Sequence, residues 1–227
     1  VCSSNEWERR RRPLRASAEI VLSRCGPTAT ISRIHPVSST FFPLRPMRIA
    51  FAGTPPFAAQ ALTALLEAGH EVCLVLTQPD RPSGRGMKLK PSAVKEVALA
   101  HGIPTLTPVS LSVKRAPQEA EEALTALENA RADVLIVAAY GLILPQRALD
   151  AARGIGRRGD IKCMNIHGSL LPRWRGAAPI QWAVIAGDEK AGVTTMLMAE
   201  GLDTGDMLLK KEIAIGAEET AEELYER

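Results

Sequence analysis

Residues 132–141 read ADVLIVAAYG. From Val134 to Ala139 every side chain is apolar, with no polar position alternating in. A strand that buries one face alternates; a continuous apolar run reads as a strand covered on both faces, the habit of parallel sheets. That reading sets the fold, because neighbouring parallel strands must be joined by crossovers, usually helical.

The segments on either side supply them. MRIAFAG (47–53) is an apolar strand ending in Gly, and PFAAQALTALLEAG (56–69) carries apolar residues at helical spacing up to a Gly stop. HEVCLVLT (70–77) is a second strand, and SAVKEVALAHG (92–102) a second helix. IPTLTP is a short strand, and KRAPQEAEEALTALENAR (114–131) a helix with an acidic first half. After ADVLIVAAYG come a basic turn, GIGRRGD (154–160), a strand, IKCMNIHG, and a helix, AAPIQWAVIAGD (177–188). AGVTTMLMAEGLDTGDMLLKKEIAI (191–215) reads as two strands joined by a Gly-Asp turn, and ETAEELYER as a last helix. The expected fold class is α/β: a Rossmann-like open, mostly parallel sheet flanked by helices, built from right-handed βαβ units.

Composition narrows the function. With 46% hydrophobic and 23% charged residues the chain builds an ordinary globular core, and the net charge of +3 is mild. No apolar run approaches the roughly 20 residues of a membrane span. The four cysteines and four histidines show no metal-ligand spacing, so no metal is expected. Cys73 and Cys163 lie inside strands, where a reduced thiol behaves as a small apolar side chain. Residues 1–46 stand apart: eight Arg, no Lys, three Glu and many Ser and Pro, without periodicity. They are expected to be a disordered or non-native extension, a transit peptide being the alternative.

Chemistry concentrates in CMNIHGSLLPRWRGAAPIQ (163–181). On a strand, residues two apart face the same way, so Asn165 and His167 project together beyond a carboxyl end, where open α/β sheets bind ligands. An amide donor beside an imidazole suits a carbonyl oxygen that becomes an oxyanion, and the imidazole can also move a proton. Asp203, in GLDTGD, is the candidate to orient the ring, brought alongside by a parallel neighbouring strand; by default Asp203 and Asp206 are ordinary turn residues. FAGTPPFA occupies the place of a phosphate-binding turn but holds only Gly53, so neither a dinucleotide fingerprint nor a P-loop is present.

SLLPRWRGAAPIQ after NIH, with GLDTGDML downstream and FAGTP, TQPDRPSGRGMKLKPSAVK and AAYGLILP upstream in the same order, resembles the methionyl-tRNA formyltransferases over nearly all of Met47–Arg227. NIH with a downstream Asp is shared across the folate-dependent formyltransferase superfamily; PRWRGAAPIQ and the basic PDRPSGRG loop are particular to the tRNA enzymes. The resemblance implies a catalytic set of Asn165, His167 and Asp203. It implies 10-formyltetrahydrofolate as donor, beside Ser169, Leu170, Leu171 and Pro172, with the backbone near Tyr140, Gly141, Leu142, Ile143 and Leu144 lining the pterin pocket. The implied acceptor is methionyl initiator tRNA, met by Arg81, Arg85, Lys88, Lys90 and Lys95 of the 78–95 loop. The implied domain is a catalytic domain over 47–227 without the family's C-terminal β-barrel, in a monomer of the bacterial-type cytoplasm, or of an organellar matrix if residues 1–46 are a transit peptide. The alternatives are a sibling formyltransferase acting on glycinamide ribonucleotide or an amino sugar nucleotide, a formyl-folate hydrolase, and a binding fragment without turnover.

Overall fold

The computed structural model describes residues 45–83, 87–199 and 202–227; the 1–46 extension therefore lies almost wholly outside the described residues. The first strand, β1 (Arg48–Gly53), leads into α1 (Pro56–Glu67), which opens on a proline whose missing N–H would have had no helical partner. β2 (Glu71–Leu76) is followed by a small antiparallel hairpin, β3 (Arg81–Ser83) and β4 (Lys88–Lys90). Helix α2 (Ala93–Ala100) starts at Ser92, whose hydroxyl accepts from the Lys95 N–H at 3.0 Å. Then come β5 (Thr105–Leu106), α3 (Pro117–Asn129), β6 (Val134–Ala138) and the single turn α4 (Gln146–Leu149). The chain continues through β7 (Cys163–His167), α5 (Pro179–Ile185), β8 (Lys190–Leu197), β9 (Met207–Ala214) and α6 (Ala221–Glu226).

Seven strands form one sheet in the order β5-β2-β1-β6-β7-β8-β9. The five from β5 to β7 run parallel, and β8 and β9 are added antiparallel. The central strands are buried on both faces, as their continuous apolar runs require. Ile49 and Phe51 of β1 join Val134 and Ile136 of β6 on one face, under Ala58 and Leu62 of α1 and Val94 of α2. Ala50, Ala52, Leu135 and Val137 face the other way, onto Leu124 and Leu127 of α3 and Leu149 of α4. A methyl group at Gly53 would lie 2.7 Å from the Ala58 Cβ and 2.8 Å from the Ala138 carbonyl oxygen, so the glycine lets the end of β1 close onto α1 and β6.

Three features depart from the sequence reading. The 78–91 segment, read as punctuated loop, contains the β3–β4 hairpin. The helix expected over 177–188 is shorter, because Gly176 and Ala178 take left-handed backbone (φ 86° and 55°) and the helix starts only at Pro179. The expectation that a parallel neighbour brings Asp203 alongside β7 is wrong, since β8 runs antiparallel to it. Among the described residues no helix is long and apolar enough to cross a membrane.

Candidate active site

The strand order reverses about β1: the chain first builds outward through β2 and β5, then returns to place β6 on the other side. Such a reversal leaves a crevice at the carboxyl ends. Three loops meet there at one backbone oxygen. The Tyr140 carbonyl accepts from the Thr54 hydroxyl at 3.0 Å and from the Gln78 side-chain amide at 2.9 Å, tying together the segments after β1, β2 and β6. Gly141 (φ 78°) is fitted to this junction, because a Cβ there would lie 2.2 Å from the Gln78 amide nitrogen. The Tyr140 ring itself turns into the core, and burial holds its hydroxyl well above the usual phenol range. Beyond it Leu142 and Leu144 are half-buried and Ile143 is 86% exposed.

One strand further along, Asn165 and His167 project from β7 on the same face. The β8–β9 turn begins opposite Met164, and its tip folds back across that face to present Asp203. One Asp203 oxygen accepts from the Asn165 amide at 3.3 Å; the other lies 3.6 Å from His167 Nδ1 and accepts from the Gly176 N–H at 2.8 Å. The Asp203 and His167 side chains are only 10% and 8% exposed. Asp203 therefore joins β7 to the 173–178 loop, itself in left-handed backbone (φ 49°). Gly205 seats the turn: a Cβ there would fall 2.0 Å from the Leu197 carbonyl oxygen.

The other imidazole nitrogen, Nε2, lies 2.9 Å from the Trp174 carbonyl oxygen. A carbonyl only accepts, so Nε2 carries a proton and Nδ1 is the nitrogen left to gain or lose one beside Asp203. The Nδ1 edge, the second amide hydrogen of Asn165 and the Asp203 carboxylate form one compact set able to bind an oxygen that gains charge and to relay a proton.

The Ser169–Pro172 segment is fixed by a buried hydroxyl. Thr194, fully buried and directly opposite His167 in β8, donates to the Ser169 carbonyl at 2.7 Å and accepts from the Leu171 N–H at 3.2 Å. Ser169 and Leu171 are buried, Leu170 is half-buried and Pro172 is exposed. The Lys210 ammonium donates to the Leu171 carbonyl. Sequence reasoning did not find Thr194, because a hydroxyl inside an apolar strand reads as filler.

The residues expected to meet tRNA are placed differently from one another. Lys88 and Lys90 are exposed on β4, and the Arg81 guanidinium donates to the Gln78 side-chain oxygen. Lys95 sits in the first turn of α2, with its ammonium 2.8 and 2.9 Å from the two Asp80 oxygens. Arg85 lies outside the described residues. Among the described residues no group of three or more His, Cys, Asp or Glu is arranged to hold a metal.

An open sheet with an Asn, a His and an Asp gathered on one face of β7 toward its carboxyl end matches one family over most of the chain. The formyl transferase family profile fits residues 47–227, and the chain belongs to that family. Over 181 residues, 80% of this chain, it is 60% identical to the methionyl-tRNA formyltransferase of Chromobacterium violaceum, and covers 55% of that protein. The methionyl-tRNA formyltransferase of Bordetella pertussis is 59% identical over 181 residues, 79% of this chain and 56% of the relative. The chain thus spans about half the length of the curated relatives it matches. Among solved structures it is similar to phosphoribosylglycinamide formyltransferase from Bacillus halodurans, with a TM-score of 0.60, 28% identity, and coverage of 78% of this chain and 84% of that one.

Proposed function

We propose that this chain carries the formyl-transferring part of a methionyl-tRNA formyltransferase, moving the formyl group of 10-formyltetrahydrofolate to the α-amino group of methionine on initiator tRNA. The observation that carries the reading is the Asn165–His167–Asp203 set at the sheet's carboxyl edge, in a chain 60% identical to an enzyme of that name. The amine nitrogen forms a bond to the formyl carbon, and the carbonyl oxygen becomes an oxyanion. Asn165 and a His167 ring protonated at Nδ1 donate to that oxygen, and Asp203 stabilises the positive ring. Collapse breaks the bond between formyl carbon and donor nitrogen, and the proton lost by the amine returns to the leaving nitrogen through Asp203, His167 or water.

The half-buried Leu142 and Leu144 and the exposed Ile143 support a flat, partly apolar donor lying across the end of β6, with the Ser169–Pro172 segment opposite. Exposed Lys88 and Lys90 on a short hairpin support contact with an RNA backbone. The likeness to a glycinamide ribonucleotide enzyme reflects the shared fold and donor chemistry. That chemistry leaves the acceptor to be decided by the loops.

The test is a formyl-transfer assay on the full chain with 10-formyltetrahydrofolate, offering charged initiator methionyl-tRNA and glycinamide ribonucleotide in parallel. Formylmethionyl-tRNA is expected, with His167→Ala and Asn165→Ala each slowing turnover by about 10²–10³-fold, the usual cost of an oxyanion donor. Faster transfer to glycinamide ribonucleotide would overturn the acceptor, and undiminished turnover in either variant would remove that residue from the chemistry.

A further inference from the structure

The carbonyl that fixes His167 belongs to a residue held from outside the site. Trp174 takes a left-handed backbone (φ 61°), a conformation that non-glycine residues seldom adopt and that needs other contacts to hold it. The polar contacts to its side chain converge on Asp188, in the turn after α5. One Asp188 oxygen accepts from the Trp174 indole N–H at 2.7 Å and from Arg173 Nε at 2.9 Å; the other accepts from Arg173 Nη2 at 2.7 Å. The Arg173 guanidinium lies 4.4 Å from the centre of the Trp174 ring, and the Trp182 ring stacks on Trp174 at 6.1 Å with 16° between the planes. Ser169 closes the turn from below, its hydroxyl donating to the Arg173 carbonyl at 2.7 Å and, more weakly, to the Trp174 carbonyl at 3.4 Å. The indole is thereby fixed by its N–H and its ring stacking together, and the direction of the Trp174 carbonyl follows.

The geometry points to Asp188 as a positioning residue that acts through Arg173 and Trp174: it aims the Trp174 carbonyl at His167 Nε2 and so selects the Nε2–H form of the neutral ring, leaving Nδ1 as the reactive nitrogen. This deepens the formyl-transfer reading and rests on it for its catalytic consequence, but the tautomer of His167 is a property of the free protein. The Asp188 carboxyl is itself held below the usual carboxylate range, first by Arg173 and then by the Trp174 N–H, so the clamp keeps its charge to lower pH than a free carboxylate would. Nothing in the spacing Arg173-Trp174…Asp188 marks it as a site; read alone, Asp188 is a turn residue after a helix.

The test uses nitrogen-resolved NMR of the imidazoles in the full chain without substrate, the His167 signals being assigned by their loss in His167→Gln. In the wild type the neutral ring should show Nε2 protonated and Nδ1 bare, with a slowly exchanging Nε2 proton. Asp188→Ala should mix the two tautomers, accelerate exchange of that proton by about tenfold or more, and lower kcat by about 10–100-fold with little change in KM, the scale expected of a small misplacement of a catalytic group. Asp188→Asn, which can still accept from the indole, should restore most of the wild-type signal. If Asp188→Ala does not fold, Trp174→Phe, which keeps the stack and removes the N–H, decides the matter. A folded variant of either kind with the wild-type tautomer and exchange rate overturns the proposal, whatever its activity. An altered tautomer in a protein that transfers no formyl group would uphold the positioning role and refute the functional reading instead.

Discussion

Replacing Thr194 by Val tests how the loop beside the imidazole is held. The substitution keeps side-chain shape and exchanges one hydroxyl for a methyl, at a residue with no solvent exposure. In the wild type that hydroxyl satisfies two backbone groups at once, the Ser169 carbonyl at 2.7 Å and the Leu171 N–H at 3.2 Å. Val leaves both unpaired where water has no direct access. An unsatisfied buried group costs about 1–3 kcal/mol, so the pair loses about 2–6 kcal/mol. The extra buried methyl returns about 1 kcal/mol. The central expectation is a net loss of about 3 kcal/mol, which in a chain of 227 residues lowers Tm by about 6–12 °C. Thermal unfolding of the full chain followed by circular dichroism measures it, with Thr194→Ser as the control that keeps the hydroxyl. A Thr194→Val protein melting within about 2 °C of the wild type would show that the Ser169–Leu171 backbone finds other partners, and would refute the reasoning.

Three further outcomes follow from individual groups. Burial pushes the Cys163 thiol up to about 12, whereas an unfolded thiol ionises near about 8.5. The folded state thus keeps a proton that the unfolded state loses, and the associated stability, whole below about pH 8.5, declines as pH rises toward the folded value; denaturant midpoints at about pH 7.5 and 10 should fall more in the wild type than in Cys163→Ala. Among the described residues the buried Tyr140 hydroxyl has no hydrogen-bond partner, so Tyr140→Phe should leave Tm unchanged or raise it by about 2–4 °C, and a clear drop would reveal a partner. Under the tRNA reading, Lys88→Ala and Lys90→Ala should each reduce the salt slope of tRNA affinity by about 0.7–0.9, whereas Lys95→Ala should leave it unchanged because Asp80 already answers that charge at 2.8 Å. Filter binding across a salt series reads all three, and a slope that falls with Lys95 alone would reverse the assignment.

What the sequence reveals of the fold is whatever follows from burial. Val134–Ala138 and Arg48–Gly53 are legible because two-sided burial leaves no polar position in their interiors, and α1 because Pro56 and Gly69 bracket an apolar stripe. The β3–β4 hairpin was missed for the opposite reason. Arg81, Pro82 and Lys88–Lys90 are exposed, Pro82 sits in one strand, and KLK buries no face that would impose a period. At α4 the helix is one turn long, too short to establish a stripe.

The same limit explains the site. Asn165 and His167 are legible because a strand's two-residue period is local, whereas Asp203 depends on which way β8 runs, and no local period records that. A strand carries the same two-residue period whether it runs parallel or antiparallel to its neighbour, and here the chain re-enters the sheet at the carboxyl end of β7, with Thr194 opposite His167 and Leu197 opposite Met164. The reversal has two effects on the site. It places Thr194 opposite His167, where its hydroxyl can hold the neighbouring loop. It also puts the β8–β9 turn at the far end of β7, so that Asp203 reaches the imidazole only by folding back over the strand face, pinned by Gly205 against Leu197 and by the Gly176 N–H. The left-handed residues at 174, 176 and 178 lie in the β7–β8 connection and Asp203 in the β8–β9 turn, and the Asp203 carboxylate ties the two segments together through the Gly176 N–H.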